Sequence, residues 1–345
     1  MTSDRLDALI VTALQLEHRA VREHLDSLRT RSIGATVVDI GRFATDTTTI
    51  SVGIIECGPG NIDAATLTTK TAINLRSKIV LMVGVAGGVK DVRMGDVVAS
   101  SKIYWAESGR SEGDHVVSRP DVGPVSTRLV QVARMIATDG SWLSRRRCDA
   151  VDVLTPKAIV APIVVGERVI ASSQSADANR IRSTFSDAVA VAMEDVGVTK
   201  AAATVGADGL AIRAISDLLD NKTAADASGS QTIAASNAAA FAFELLAKLS
   251  HVSPVGGDHT LHNLVTKLYP QGPTDRSIWE RAGGDPSRLQ VTGDGHSIWW
   301  SALQDLNRGG GGANITLSRL IEAMLDDYPD NPDLSNLIHS AGHSD

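Results

Sequence analysis

Seven nearly continuous apolar runs alternate with helical stretches over residues 6–250 of this 345-residue chain. The runs are rich in Val, Ile and Ala, which is typical of strands that are buried on both faces of a sheet. The stretches between them, such as 62–75 and 234–249, are rich in Ala and Leu. This alternation predicts an α/β domain with a mixed, mostly parallel central sheet flanked by helices. The runs cover residues 8–14, 47–58, 78–88, 95–105, 157–166, 188–194 and 209–216.

A different composition begins after the segment HVSPVGGDH, which contains the Pro and Gly that are typical of a linker. Beyond it, leucines recur at helical spacing, strand signals are nearly absent, and three of the five tryptophans are found. We therefore expect a small all-α C-terminal domain with Trp279 and Trp299 in its core. The predicted division is 1–250 for the α/β domain, 251–257 for the linker, 258–337 for the helical domain and 338–345 for a flexible tail.

The bulk composition excludes several classes of protein. Hydrophobic residues make up 43% of the chain, which argues against global disorder. The formal net charge of −7 gives no electrostatic footprint for nucleic acid or for an anionic membrane surface. The two cysteines have no metal-ligand spacing, no signal peptide is recognisable, and no apolar run is long enough to span a membrane. We expect a cytoplasmic protein without a metal or other cofactor.

Carboxylates follow three of the predicted strands at their carboxyl ends, where open α/β sheets bind ligands. Glu17 follows the first run, Glu194 ends the sixth together with Met193, and Asp217 follows the seventh. A Gly-rich turn, GVAGG at 84–88, ends the third run, and its small residues let backbone amides approach a ligand. We expect these groups to converge on one edge of the sheet.

Each of these features alone has a simpler structural interpretation. Glu17 can stand in the first turn of a helix, where the helix dipole favours an acid. Glu194 can pair with Lys200 or with an arginine, and Asp217 can cap the next helix. The GVAGG segment can be an ordinary tight turn. The combination of all four at strand ends favours a functional site over four independent coincidences.

The segments that contain these residues resemble motifs of the purine nucleoside phosphorylase and uridine phosphorylase superfamily, and within it of the methylthioadenosine/adenosylhomocysteine nucleosidases. The resemblance covers residues 6–250 and rests on four segments in the order that the family has. It implies a homo-oligomeric enzyme that cleaves the N-glycosidic bond of a purine nucleoside or nucleotide. The four segments are ALQLE (13–17), GVAGGVKDVRMGDVV (84–98), AVAMED (190–195) and IRAISD (212–217).

The resemblance implies a role for each acidic residue of the site. Asp217 would protonate, or donate a hydrogen bond to, the five-membered ring of the purine leaving group. Glu194 would bind the ribose hydroxyls, with Met193 packed against the sugar. Glu17 would orient or deprotonate the attacking water. The transition state would resemble an oxocarbenium ion, as in other glycosyl transfer reactions.

The resemblance also assigns two segments of the wall of the site. Ala86 and Gly87 would line the ribose and nucleophile positions. The segment GERVI (166–170) corresponds to the loop that contacts the base. In that loop Val169 stands where the family usually has an aromatic residue. Arg168 is an additional charge, which is either a surface cation or a ligand contact.

Departures from the family pattern favour hydrolysis over phosphorolysis. Val85 stands where many members have a Ser or Thr hydroxyl, and KIVLMVGVAGG lacks the arginine that phosphorylases place before this segment. Both absences argue against a tight phosphate site. A phosphate-dependent phosphorylase and a non-catalytic nucleotide sensor stay open as alternatives. Basic residues near these loops leave open a charged 5′ substituent, such as that of ATP: Arg42, Lys90, Arg93, Lys102 and Arg110.

The helical tail resembles the effector-associated domains of bacterial conflict systems, which are small death-like modules that pair with a matching domain on a partner. The likeness rests on IWERAG (278–283), IWWSAL (298–303) and DDYPDNPDL (326–334). A C-terminal cap packed on the enzyme domain is the alternative. The resemblance implies a protein partner bound through 258–337, and an antiphage effector whose catalytic domain destroys a purine metabolite.

Overall fold

The computed structural model divides into two compact units, Met1–His251 and Val252–Asp345. His251 ends a helix, and the rest of the predicted linker and the whole of the predicted tail lie outside the described residues. The structure describes residues 5–46, 48–112, 115–119, 121–147, 155–168, 170, 172, 174–218, 230–251, 258–289, 293–331, 333–334 and 337.

The described part of the first unit contains twelve strands and six α-helices. The strands are β1 (Ala8–Thr12), β2 (Asp26–Ile33), β3 (Thr36–Ala44), β4 (Thr49–Glu56), β5 (Ile79–Gly88), β6 (Val97–Trp105), β7 (Gly109–Glu112), β8 (His115–Ser118), β9 (Asp121–Gly123), β10 (Ala158–Val165), β11 (Ala190–Ala192) and β12 (Asp208–Leu218). The helices are α1 (Gln15–Arg22), α2 (Asn61–Leu75), α3 (Thr127–Asp139), α4 (Ala176–Thr184), α5 (Asp195–Thr204) and α6 (Ser230–His251).

The main sheet is mixed, as predicted, and its strand order is β11-β10-β6-β12-β5-β1-β4-β3-β2, with β9 paired to β6. Parallel pairing joins β4, β1, β5 and β12 at the centre, and β6, β10 and β11 at one side. The β2–β3–β4 meander and the β6–β12 pair are antiparallel. Because β11 also pairs with β5, the strands β5, β12, β6, β10 and β11 form a closed ring.

The α/β prediction is confirmed, because each of the seven apolar runs contains a strand and both helical stretches are helices. The sequence does not predict β2, β3 or the short strands β7–β9. Strand β2 reads DSLRTRSI, and its residues are exposed except for Ile33, which is half-buried. Such a strand lacks both the continuous apolar run of a buried strand and the alternation of a half-buried one.

Each face of the main sheet is covered by its own hydrophobic core. One core contains Ala8 and Ile10 together with residues of α1, α3 and α6. The other contains Leu9 and Val11 together with residues of α2 and α5. The alternation of consecutive β1 residues between the two cores follows from the two-residue period of a strand. It explains why this strand is apolar from Ala8 to Val11.

Helix α6 combines a length and a composition that would allow it to cross a membrane. However, 83% of the most apolar stretch within Ser230–Ser250 is buried inside the protein. Burial of this kind is typical of the core helix of a soluble protein. The cytoplasmic location stays a prediction.

The GVAGG segment is not a turn, and the prediction of a Gly-rich turn is wrong. It forms the second half of β5, which pairs with β12 as far as Gly88 and with β11 at Gly87 and Gly88. The chain stays extended because both of its edges are hydrogen-bonded. A Cβ on Gly88 would lie 2.7 Å from Leu218 Cδ2, so the glycine permits close approach of the neighbouring strand.

Asp217 lies inside β12 rather than after it, because the strand continues to Leu218. Among the described residues its carboxyl group accepts no hydrogen bond from a helix N-terminus, and residues 219–229, which follow the strand, lie outside the described residues. The register of β12 against β5 shifts between Ile215 and Asp217, and this shift makes Ser216 a β-bulge. Bulges change the direction of side chains next to active sites, and this one adjoins the carboxylate of interest.

The second unit has a separate hydrophobic core. Trp279 and Trp299 are buried, as predicted, and each indole N–H donates to a backbone carbonyl, that of Gly311 at 3.3 Å and that of Tyr269 at 2.8 Å. A buried indole needs such an acceptor, so both rings are fixed. Among the described residues of this unit the helices are α7 (Asp258–Leu268), α8 (Ile278–Arg281), α9 (Gly295–Asn307) and α10 (Leu317–Asp327).

Candidate active site

The predicted site residues of the first unit line a single cavity of about 220 Å³. It opens at the carboxyl ends of β1, β5, β11 and β12, as expected for an α/β sheet. Val169 lies outside the described residues. The other seven predicted residues are all in the wall of the cavity: Glu17, Ala86, Gly87, Arg168, Met193, Glu194 and Asp217.

Glu17 is in the first turn of α1 and is buried. Its Oε2 accepts hydrogen bonds from the backbone N–H groups of Ala13 at 2.8 Å and Leu14 at 3.0 Å. Its Oε1 accepts from the N–H of Val85 in β5 at 2.8 Å. The interpretation that Glu17 stands in the first turn of a helix is therefore correct but incomplete, because the same carboxylate also accepts a hydrogen bond from the neighbouring strand.

Arg213 stands at the centre of the acidic side chains, on β12, and is 1% exposed. Its Nη2 donates to Oε2 of Glu194 at 2.6 Å, and its Nε donates to Oδ1 of Asp195 at 2.8 Å. Its Nη1 donates to the carbonyl oxygen of Val85 at 3.1 Å and lies 3.9 Å from Oε1 of Glu17. The suggested pairing of Glu194 with an arginine is thus correct.

The charges in this cluster shift the pKa values of its members. Burial alone would lower the pKa of Arg213, but the surrounding carboxylates outweigh it and raise that pKa, so the guanidinium stays charged. Burial raises the pKa of Glu17 and of Asp195, against the opposing effect of Arg213.

Gly84 is needed for Glu17 and Arg213 to lie against β5. A Cβ at this position would lie 2.3 Å from Oε1 of Glu17 and 2.7 Å from Nη1 of Arg213. Any side chain here would therefore displace the ion pair from the strand. Neither Gly84 nor Arg213 is among the predicted site residues. The signal that could have revealed them is a charged residue inside a buried strand, in GLAIRAIS.

Asp217 is fixed by its chain neighbour. The hydroxyl of Ser216 donates to Oδ1 of Asp217 at 2.7 Å, and the carbonyl oxygen of Ser216 accepts from the hydroxyl of Ser230 at 2.8 Å. Within the described part of the chain, Oδ2 of Asp217 makes no hydrogen bond. One oxygen of this carboxyl group is thus held by the protein, while the other is available to a ligand.

The charged side chains in the wall of the cavity are mostly acidic, and most of the other described lining residues are apolar. Glu17, Glu194 and Asp217 contribute carboxylates, and the cations among the described lining residues are Arg168 and Arg213. Each nitrogen of the Arg213 guanidinium donates a hydrogen bond to a protein group. Arg168 is largely exposed and lies 3.3 Å from Asp177 and 3.7 Å from Glu107.

The basic residues that the sequence analysis left open for a charged 5′ substituent do not line this cavity. Three of them face acids elsewhere: Lys90 lies near Asp91, Arg93 near Asp96 and Lys102 near Asp187.

The predicted alternative pairing of Glu194 with Lys200 is wrong, because Lys200 forms its ion pair with Asp121. Among the described residues, no group of three or more His, Cys, Asp or Glu side chains can hold a metal ion.

Residues 7–249 match the family model of the phosphorylase superfamily, so the chain belongs to this superfamily. This match confirms the resemblance of residues 6–250. Residues 255–342 match the model of effector-associated domain 1, which confirms the resemblance of the helical tail.

Relatives of the chain include two kinds of nucleosidase. A 5′-methylthioadenosine/S-adenosylhomocysteine nucleosidase from Desulfotalea psychrophila is 24% identical over 246 residues, which is 70% of this chain and 97% of the relative. The ATP nucleosidase Cap17 from Escherichia coli is 28% identical over 176 residues. That match covers 47% of this chain and 35% of Cap17.

Solved structures share the fold of the first unit. A 5′-methylthioadenosine/S-adenosylhomocysteine nucleosidase from Neisseria meningitidis, in complex with methylthio-immucillin-A, superposes with a TM-score of 0.59 at 21% identity. The superposition covers 70% of this chain and 98% of that structure. The futalosine hydrolase of Helicobacter pylori gives a TM-score of 0.58 at 18% identity, over 70% of this chain and 97% of that one.

Replacement of Arg213 by Met should destabilise the protein severely. The variant leaves three buried carboxylates without their counter-ion, and we expect a loss of about 3–5 kcal/mol in the free energy of unfolding. Urea unfolding measures the change. Arg168→Met is the matched control, because its side chain is exposed and its ion pairs are long, and it should change stability by less than about 0.5 kcal/mol. Equal stability of the two variants would contradict the central place of Arg213.

Proposed function

We propose that this chain hydrolyses the N-glycosidic bond of a purine nucleoside or nucleotide and releases the free base. The observation that supports this most strongly is the convergence of Glu17, Glu194 and Asp217 on one cavity. Glycoside hydrolysis requires one group to assist the leaving group and another to activate water. The three carboxylates can provide both of these groups and, in addition, an acceptor for the sugar hydroxyls.

Asp217 is proposed as the general acid. In its protonated form it donates a proton from Oδ2 to a nitrogen of the purine five-membered ring, while Ser216 holds Oδ1. The bond between the anomeric carbon and the purine then breaks, and its electron pair leaves with the base. The ribose is left with oxocarbenium character. Proton transfer of this kind contributes roughly 10²–10⁴-fold to the rate.

Glu17 is proposed as the group that orients and deprotonates the attacking water. Three backbone amides fix its carboxylate, and Oε1 keeps acceptor capacity beyond its bond from Val85. Burial raises its pKa, which makes the carboxylate a stronger base than an exposed one. The water adds its oxygen to the anomeric carbon and gives a proton to Glu17.

Glu194 is proposed to accept hydrogen bonds from the ribose hydroxyls. Arg213 donates to Oε2, and among the described residues Oε1 accepts only from the N–H of Gly60, at 3.2 Å. Oε1 can therefore accept from a sugar hydroxyl as well. Met193 is next to it in the wall and supplies an apolar surface for the sugar. Ala86 and Gly87 complete this side of the cavity.

The carboxylates in the wall of the cavity favour hydrolysis over phosphorolysis. A phosphate ion would face the carboxylates of Glu17 and Glu194, and the nearby Arg213 is already engaged by the protein. Repulsion between like charges in a buried site is strong. A nucleotide sensor, which binds without catalysis, would not need both a fixed acid on β12, Asp217, and a fixed base on α1, Glu17.

The substrate test is free-base release. Methylthioadenosine, adenosylhomocysteine, adenosine, inosine and ATP are incubated separately with the protein, each with and without phosphate, and the products are separated by chromatography. We expect release from at least one compound at the same rate without phosphate, and a loss of at least about 10²-fold in Asp217→Asn. Asp330→Asn, which makes the same change at an exposed aspartate of the second unit, is the control. A strict phosphate requirement would show a phosphorylase, and absence of release from every compound would contradict the proposal.

We further propose that the enzyme is an antiphage effector, recruited to a protein partner through its helical domain, and that it acts as a homo-oligomer in the cytoplasm. The match of residues 255–342 to effector-associated domain 1 supports recruitment. The likeness to Cap17 supports the destruction of a nucleotide pool, with ATP as one candidate substrate. The separate hydrophobic core of the second unit suits a module that binds a partner independently of catalysis.

The recruitment proposal predicts that catalysis and protection are separable. A chain that ends at residue 251 should release base in vitro as the full chain does, because every described residue that lines the cavity lies in the first unit. Bacteria with the gene in its natural setting should lose protection against phage with either this truncation or Asp217→Asn. Full protection by the truncated chain would contradict recruitment through the helical domain.

A further inference from the structure

Asn61 is the first residue of α2, it is buried, and its side chain joins two other segments of the first unit. Its Oδ1 accepts a hydrogen bond from the backbone N–H of Gly197 in α5 at 2.8 Å. Its Nδ2 donates to Oε1 of Glu167, in the loop after β10, at 2.8 Å. Because an acceptor and a donor are both used, the orientation of the amide is defined.

The three segments that meet at Asn61 all contribute to the wall of the cavity. Pro59 lines it just before α2, Arg168 lines it directly after Glu167, and Glu194 lines it immediately before α5. The backbone N–H of Gly60, the residue before Asn61, donates to Oε1 of Glu194. A displacement of Asn61 would therefore move an amide that contacts the proposed ribose ligand.

Helix α5 packs on this junction so closely that no side chain fits between them. A Cβ on Gly197 would lie 2.3 Å from the carbonyl oxygen of Asn61. The contact between α5 and Asn61 is thus set by backbone atoms and is rigid. The contact with Glu167 is different, because it joins the rigid junction to an exposed loop through a single side-chain hydrogen bond.

We propose that Asn61 is a positioning residue that holds the loop of Glu167 and Arg168 at a fixed separation from the carboxylate of Glu194. The inference rests on the proposed function, in which this loop lies beside the base and Glu194 binds the ribose. Asn61 is not among the residues that line the cavity, so it acts through these two groups. It supports binding of the substrate in the ground-state complex and in the transition state equally. Its loss therefore raises KM with little effect on kcat.

The test replaces the hydrogen bond by a repulsion and then restores it with reversed polarity. In Asn61→Asp, one carboxylate oxygen still accepts from Gly197, while the other faces the carboxylate of Glu167. We expect KM for base release to rise roughly tenfold, the change typical of a hydrogen bond to a charged group, with kcat within about threefold. In the double variant N61D/E167Q the new amide donates to the new carboxylate, and KM should return to within about threefold of the wild type.

Glu167→Gln alone is the matched control, because its Oε1 still accepts from Asn61, and we expect KM within about twofold of the wild type. Glu167→Ala removes the acceptor of the hydrogen bond from Asn61 at the exposed residue of the pair. It keeps the test decisive if Asn61→Asp does not fold. It should raise KM as Asn61→Asp does. Thermal melting of each variant accompanies the kinetics.

The outcomes separate this inference from the proposed function. An unchanged KM in Asn61→Asp, or a double variant no better than Asn61→Asp, overturns the positioning role while wild-type turnover stands. A fall in kcat with unchanged KM and a lower melting temperature shows a purely structural role and also overturns it. Absence of base release by the wild type overturns the proposed function and this inference with it.

Discussion

The buried guanidinium of Arg213 is the interaction on which the site depends. Removing a charge from water is costly, and a buried arginine is stable only when carboxylates and carbonyls use its donors. Here Glu194, Asp195 and the carbonyl oxygen of Val85 do so, with Glu17 at 3.9 Å. The same contacts fix two proposed functional carboxylates, so stability and the geometry of the site have one physical origin.

The topology of the sheet brings these groups together from distant parts of the chain. Parallel pairing of β1, β5 and β12 places their carboxyl ends side by side, and the contact of β11 with β5 adds Met193 and Glu194. The bulge at Ser216 changes the register where Asp217 faces the cavity. Gly84 leaves the space that Glu17 and Arg213 occupy. Each carboxylate thereby reaches the cavity from a different element.

The sequence predicts the acidic residues of the cavity well, because Glu17, Glu194 and Asp217 follow or end apolar runs whose strands are easy to recognise. It does not predict the role of Arg213 or Gly84, because their importance arises from contacts between strands that are far apart in sequence. The prediction of a Gly-rich turn is wrong for the same reason, because pairing with the strands β11 and β12 keeps the GVAGG segment extended. Exposed strands such as β2 lack a hydrophobic period and depend on pairing with β3.

The central claim is that a water molecule, held by Glu17, is the nucleophile at the anomeric carbon. The most direct test is mass spectrometry of the sugar product, formed from a cleaved substrate in oxygen-18 water with inorganic phosphate in excess, and trapped at early times by reduction. The account predicts a free sugar with one oxygen-18 atom at the anomeric carbon and no sugar phosphate newly formed there. A sugar 1-phosphate, with its anomeric oxygen from phosphate, would contradict it.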